Sequence, residues 1–253
     1  MLFNINDGGL ISALKFSVDW QFYVTFMGLV LLLIIGSYLF GSINSSIIIS
    51  KLLYHDDIRK HGSGNAGMTN MLRTYGKGAA GLTLLGDMLK TALAIVLGGV
   101  LFGFNYAGGV SMGDGYCYVA GLFAVLGHIF PIYYGFKGGK GVLATSTMAL
   151  ILTPIPFLIL FVFFVIIVWI SKYVSLGSVT VAILYPVLLH GYFTIMFPEA
   201  QYTMPGLISF SAIMLALLIV WCHRGNLKRI SNRTERKISF KKKPNPNEEN
   251  KND

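Results

Sequence analysis

The stretch VLATSTMALILTPIPFLILFVFFVIIVWI, residues 142–170, runs for 29 residues without a charge. That exceeds the roughly 20 apolar residues that carry a helix across a bilayer. Pro154 and Pro156 interrupt it. Proline fixes φ, removes an N–H donor and disfavours helix at the residue before it. Two prolines one residue apart therefore predict two short helices rather than one kinked rod. Charge agrees with the break. Two spans here give seven in all, and put the loop 52–78, the loop 135–141, Lys172 and the basic C-terminal tail on one side of the membrane. One span would put the tail opposite the other basic loops, against the rule that basic loops stay cytoplasmic. The expected fold is an all-α integral membrane protein of about seven transmembrane helices, N-terminus outside and C-terminus cytoplasmic.

Composition points the same way. Of 253 residues, 54% are hydrophobic and 12% charged, with a mean hydropathy of +0.65. A soluble domain carries about a quarter charged residues. A net charge of +9 would suit nucleic acid, but half the basic residues lie from Arg224 onward and most others in short loops between apolar runs. That distribution is a topology signal, and nucleic acid is excluded as a partner. The other spans are expected over roughly 22–40, 79–104, 116–134, 174–197 and 205–222. The first is expected to continue as a polar helical extension, Gly41 to Lys51, whose small and hydroxylated residues predict close helix packing. Residues 1–20 read as an interfacial lead-in, 21–238 as the membrane catalytic domain and 239–253 as a disordered charged cytoplasmic tail. Cys117 and Cys222 fall at opposite faces, so no disulfide is expected, and no zinc-ligand spacing exists.

Several loops on the basic side carry phosphate-binding chemistry. His61-Gly62-Ser63-Gly64-Asn65-Ala66-Gly67-Met68-Thr69-Asn70-Met71-Leu72-Arg73 combines three glycines with hydroxyls, amides and a guanidinium. Glycines admit positive φ and close backbone approach, free amides form anion nests, and arginine forks onto phosphate oxygens. Gly135-Phe136-Lys137-Gly138-Gly139-Lys140-Gly141 adds two full charges. Ser175 and Ser178 begin the sixth span, and His223-Arg224-Gly225-Asn226 follows the seventh. Asp87 and Lys90 share one helix face inside the second span, where ionised groups are functional candidates or a structural ion pair. His128, ahead of Pro131, reads at least as readily as a structural histidine.

Other patterns fail on context. Gly62-x-Gly64-x-x-Gly67 matches a dinucleotide fingerprint but lacks the preceding strand. Gly109-x-Ser111-x-Gly113 matches a nucleophile elbow without a sheet to carry it. Thioester acyltransferases with His-x-x-x-x-Asp and CDP-alcohol phosphotransferases with clustered aspartates find no match. Asp56-Asp57 is too little for a magnesium cage, so no metal or other cofactor is expected. A small anion or metabolite permease is the main alternative. It would place polar groups at the bilayer midplane and show paired repeats, neither of which is seen.

The chain resembles the acyl-phosphate-dependent glycerol-3-phosphate acyltransferases of bacterial membranes, the PlsY family. The resemblance rests on Gly62-Ser63-Gly64-Asn65 with Thr69-Asn70 and Arg73; on Gly127-His128 with Pro131 and Phe136-Lys137-Gly138-Gly139-Lys140-Gly141; on Tyr173-Val174-Ser175-Leu176; and on His223-Arg224-x-Asn226. It covers roughly residues 28–238. One departure is Arg233 where the family commonly has glycine before Thr234-Glu235, which bears on the local turn. The resemblance implies acyl transfer from acyl phosphate to the 1-hydroxyl of glycerol 3-phosphate, giving lysophosphatidate and phosphate, in the cytoplasmic (inner) membrane with lipid around it. It leaves open whether the enzyme supplying acyl phosphate is a direct partner. On this reading Ser63, Gly64 and Asn65 hold the donor's phosphate, with Gly62, Thr69 and Asn70 in the same loop. Arg73, Lys140, His223 and Asn226 orient glycerol 3-phosphate, and Gly138, Gly139 and Gly141 admit it to the backbone. Lys90 and Lys137 supply background charge, and Ser175 and Ser178 are hydrogen-bond partners. Glu235 is expected to fix the tail by ion pairs. The proton acceptor is either His223 or the substrate's own phosphate.

Overall fold

A computed structural model describes residues 10, 20–103, 112–197 and 205–238. Most of the lead-in and the tail after 238 lie outside the described residues. The described elements run α1 Trp20–Ser42, α2 Ser45–Tyr54, α3 Met68–Thr74, α4 Lys77–Phe102, α5 Met112–Ile129, α6 Val142–Leu152, α7 Pro154–Ser171, α8 Val174–Met196 and α9 Pro205–Ser231, with 3₁₀ turns at Ile58–Lys60 and Ile132–Tyr134. No strand occurs among the described residues. Among the described residues, six helical segments are long and apolar enough to cross a membrane, counting α1 and α2 together. The short apolar helix α6 accompanies them. Its 11 residues rise only about 16 Å, half the thickness of a bilayer core. The division between α6 and α7 falls where the prolines put it. Thr153 leaves the helical region at φ −144°, ψ 73° and Pro154 opens α7.

The lipid-facing surface follows from sequence. Ile155, Leu158, Phe161, Val165, Trp169 and Ile170 of α7 are all exposed, as are Leu31, Leu32 and Ile35 of α1. With lipid outside, apolar burial alone gives helices little reason to associate, and close packing of small residues takes over. Gly41 and Gly127 let α1 and α5 touch. A Cβ on Gly127 would strike the Tyr38 carbonyl, and one on Gly41 the backbone of Ala124. α5 sits at the centre. Cys117, Tyr118, Leu122 and Val125 pack against Met148, Leu189, Ala212 and Leu215 from α6, α8 and α9.

One expectation needs correction. The polar extension after residue 40 does not continue α1, because the helix stops at Ser42 and restarts at Ser45. Asn44 is the cause. Its Oδ1 accepts the Ile47 N–H at 3.2 Å, capping a new helix, and an asparagine that caps competes with helix continuation. Beyond α2 the loop is pinned by Arg59, which pairs with Asp57 at 2.7 Å and donates to the Tyr134 carbonyl at 2.8 Å and the Lys137 carbonyl at 3.2 Å. The Arg59 hydrogen bonds hold the Asp57 carboxyl down at about 2. The two glycine-rich loops are thus joined before any ligand is considered.

Candidate active site

Ser63, Asn65, Thr69, Asn70, Arg73, Lys140, Gly141, Ser175, Ser178, His223 and Asn226 line a single cavity of about 460 Å³. This lies within the range of small-molecule sites. Glycine-rich loops, the start of α6, the start of α8 and the end of α9 converge there from 160 residues of chain. One side is polar. The other is walled by Leu143, Leu150, Phe157, Phe161, Val181 and Ile219, an apolar branch suited to a hydrocarbon chain.

The polar side is organised around a carboxylate that the sequence left to the tail. Glu235 accepts the Ser175 hydroxyl at 2.9 Å, Asn226 Nδ2–H at 2.6 Å and Arg229 Nε–H at 2.7 Å. With its amide nitrogen committed to Glu235, Asn226 turns its oxygen to Lys140, whose ammonium donates to it. Burial pulls the Lys140 ammonium down to about 8, Glu235 pulling it back up and Arg229 and Arg73 adding to the fall. Burial would raise the Glu235 carboxyl, but the hydrogen bonds from Asn226, Arg229 and Ser175 outweigh it and hold the group below its ordinary range. Arg73 is lowered by burial and by the facing charge of Arg236. Arg73, Lys140 and Arg236 therefore face one already shared carboxylate. That surplus of positive charge calls for an anion.

His223 presents a lone pair to the cavity. Its Nδ1 lies 2.8 Å from the Ile219 carbonyl. A carbonyl only accepts, so Nδ1 carries the hydrogen and Nε2 is the acceptor nitrogen. Ser178 is less available, its hydroxyl being back-bonded to the Val174 carbonyl at 2.9 Å.

Several predicted ligands serve the scaffold. Asn70 is 1% exposed. Its oxygen accepts the Ser63 N–H at 3.0 Å, and its nitrogen donates to the Ile58 and His61 carbonyls at 3.2 and 3.0 Å. It shapes the loop. Gly62 and Gly64 stand at φ 59° and 71°, and a Cβ on Gly62 would collide with the Asn70 oxygen. Gly138 and Gly139 also face protein, since a Cβ on either would meet His128. Gly141, at φ 79°, caps α6. Lys137 is exposed and does not line the cavity, and neither does Lys90, which is buried against Asp87 at 2.8 Å. Asp87 and His128 do line it.

Arg233 explains its own departure from the family pattern. It sits at φ 57°, the left-handed region that glycine occupies without strain. The turn nonetheless forms: Thr234 and Glu235 donate to the Arg229 carbonyl at 2.8 and 3.1 Å, and Ile238 N–H reaches the Lys172 carbonyl at 2.9 Å. Residues 232–238 thereby fold back over the site.

Residues 31–233 match the family model described as glycerol-3-phosphate acyltransferase. The chain is 40% identical over 232 residues to the glycerol-3-phosphate acyltransferase of Mycoplasmopsis agalactiae, covering 83% of this chain and 94% of that one. Identity to the Halalkalibacterium halodurans protein of the same name is 42% over 216 residues, with 83% and 96% covered. To the Bacillus subtilis protein it is 38% over 212 residues, with 84% and 99% covered. The fold matches the crystal structure of PlsY (YgiH), an integral membrane glycerol 3-phosphate acyltransferase, in its glycerol 3-phosphate form, with TM-score 0.68, 31% identity and 83% and 96% of the two chains covered. The lysophosphatidic acid form of that protein matches with TM-score 0.67. A phosphate-type pocket with an apolar branch, built from those four motifs on a multi-pass helical membrane fold, places this chain in the glycerol-3-phosphate acyltransferase family.

Proposed function

We propose that the chain transfers a fatty acyl group from acyl phosphate to the sn-1 hydroxyl of glycerol 3-phosphate at the cytoplasmic face of the bacterial inner membrane. The acceptor oxygen attacks the acyl carbon, the bond from that carbon to the phosphate oxygen breaks, and lysophosphatidate and inorganic phosphate leave. An acyl phosphate is a mixed anhydride with a good leaving group, so positioning and charge stabilisation suffice without a covalent enzyme intermediate. The observation that carries this reading is the cluster of Arg73, Lys140 and Arg236 beside an apolar branch in one cavity. It suits a substrate pair with two phosphates and one hydrocarbon chain.

Ser63 and Asn65 on the first loop face the donor's phosphate, while Arg73, Lys140 and Asn226 orient glycerol 3-phosphate. The hydroxyl proton has two acceptors, Nε2 of His223 and a phosphate oxygen of the acceptor substrate. Arg59, Lys60, Lys140, Lys172 and Arg224 lie in the loops and helix ends that carry the site, and basic loops stay cytoplasmic, which supports a cytoplasmic site. The test is phosphate release by purified protein given palmitoyl phosphate, with and without glycerol 3-phosphate. Acceptor-dependent release without coenzyme A is expected, and its loss in Asn65→Ala and Lys140→Ala that still fold. Activity with an acyl thioester alone would discard the donor assignment; unchanged turnover in either variant would discard the site.

A further inference from the structure

The geometry points to Asp87, Lys90 and His128 as a strut that sets the spacing of the two glycine-rich loops, with His128 held as its Nε2–H tautomer. All three side chains are at least 96% buried. Lys90 Nζ lies 2.8 Å from Asp87 Oδ1, 2.9 Å from the Ile43 carbonyl and 2.9 Å from His128 Nδ1. The contacts to Ile43 and His128 are hydrogen bonds and that to Asp87 is an ion pair; an ammonium only donates, having no acceptor of its own. Nδ1 of His128 must therefore accept, and the ring hydrogen sits on Nε2. The Asp87 carboxylate balances the lysine, with His128 Nδ1 at 3.8 Å from it.

The far edge of the imidazole meets the second loop where that loop lies against the first. It packs so closely on Gly139 that a Cβ there would collide with Nε2, and the same Cβ would lie 2.7 Å from the Ala66 carbonyl. The backbone repeats the connection: the His128 carbonyl accepts Gly139 N–H at 3.0 Å, the Ile129 carbonyl accepts Gly138 N–H at 3.1 Å, and Gly138 O accepts Ala66 N–H at 3.4 Å. One residue further along each loop stand Asn65 and Lys140, both facing the cavity. A shift of the ring moves both. The same Lys90 also reaches the Ile43 carbonyl, where α1 has just ended. Lys90 and Asp87 are thus positioning residues, acting through His128 and then through Gly139 and Ala66. A charged pair inside a membrane bundle is costly and calls for a role of this kind.

The test uses the full chain with ¹⁵N-labelled histidine in lipid nanodiscs. His128 is expected as the Nε2–H tautomer, its signal assigned by its disappearance in His128→Asn. Lys90→Met is expected to abolish the tautomer bias. An Nδ1–H imidazole in the wild-type protein overturns the inference. A kinetic arm, which alone rests on the acyl-transfer reading, separates the strut from simple folding. His128→Asn still offers Lys90 an oxygen but deletes the far edge, and its kcat is expected to fall about 10- to 100-fold. His128→Gln, which restores an N–H near the ε position, is expected to recover part of that loss. Wild-type turnover in folded His128→Asn overturns the strut. If that variant does not fold, His128→Gln supplies the assignment and the wild-type tautomer decides alone; if the wild type transfers no acyl group, the tautomer still reports on the strut while the functional reading fails.

Discussion

Replacing Glu235 with alanine should disassemble the polar side of the site without touching a substrate contact. The carboxylate is 9% exposed and accepts three hydrogen bonds. The bond from Arg229, itself 48% exposed, is screened and contributes about 0–1 kcal/mol. Those from Ser175 and Asn226 are charge-assisted and sheltered, contributing about 1.5 kcal/mol each at the low end of their range. About 3 kcal/mol of the free energy that holds Ser175 and Asn226 in place is then lost. If substrate binding must restore that arrangement, kcat/KM falls about 100-fold. Glu235→Gln keeps an acceptor oxygen of the same shape for Ser175 and Asn226 but loses the charge and turns a donor toward Arg229, so a fall of about tenfold is expected. Steady-state phosphate release over a range of glycerol 3-phosphate concentrations measures both, with the folded fraction checked by size-exclusion chromatography. The folded value of this carboxyl lies below its ordinary 4.5. Its stabilising contribution is therefore complete above that pH and is lost as pH falls through the lower folded value, so assays near neutrality see it whole. Turnover of Glu235→Ala within about twofold of wild type would refute the keystone role.

Arg233→Gly should stabilise the protein. A side chain in the left-handed region costs about 1–2 kcal/mol, and glycine's greater freedom when unfolded returns about 0.4–1, leaving a gain of about 0.5 kcal/mol in thermal unfolding. A lower unfolding temperature would refute strain at this turn. Lys140 sets a pH limit on binding. Its ammonium titrates at about 8 in the free site, so kcat/KM for glycerol 3-phosphate should decline as pH rises through that value and Lys140→Arg should remove the decline. The folded value is depressed, so the stability cost of the charged lysine is full below about pH 8 and is relieved as pH rises. A flat profile up to pH 10 would refute it.

The sequence was most legible where a local signal fixes a local outcome. Pro154 and Pro156 divide α6 from α7, the apolar runs mark the spans, and the small residues from Gly41 onward mark close helix contact. The four phosphate-type motifs do meet in one cavity, because each lies at a helix end on the basic side. Roles inside those motifs were less legible. Asn70, Gly62, Gly138 and Gly139 read as ligand-facing by residue type, yet they fit equally well against backbone, and only the packing distinguishes the two. Asn44 is an N-cap hidden inside a run that is helical by composition. Glu235 reads as fixing the tail by ion pairs, and it does pair with Arg229, but its hold on the site was not legible because its partner Ser175 lies 60 residues away. A signal existed: it is the lone carboxylate in the basic run from Arg224 to Lys243, where an acid needs a reason to be.

The reassignment of the glycines follows from solvent. At a membrane interface a loop cannot count on water for its amides, and every buried N–H and C=O must find a partner within the protein. The 62–67 and 135–141 loops solve this by bonding to each other around the end of α5, through Ala66 to Gly138 and through Gly138 and Gly139 to Ile129 and His128. Such backbone-to-backbone approach leaves no room for a Cβ, so glycine is required whether or not a ligand ever binds. Ligand recognition then falls to the side chains that flank the joined loops, Ser63, Asn65 and Arg73 on one side and Lys140 on the other. Amides used up in this way cannot also form an anion nest. On the proposed reaction, the charge surplus of Arg73, Lys140 and Arg236, set in place by Glu235 and by the strut behind His128, then does most of the work of holding the phosphates.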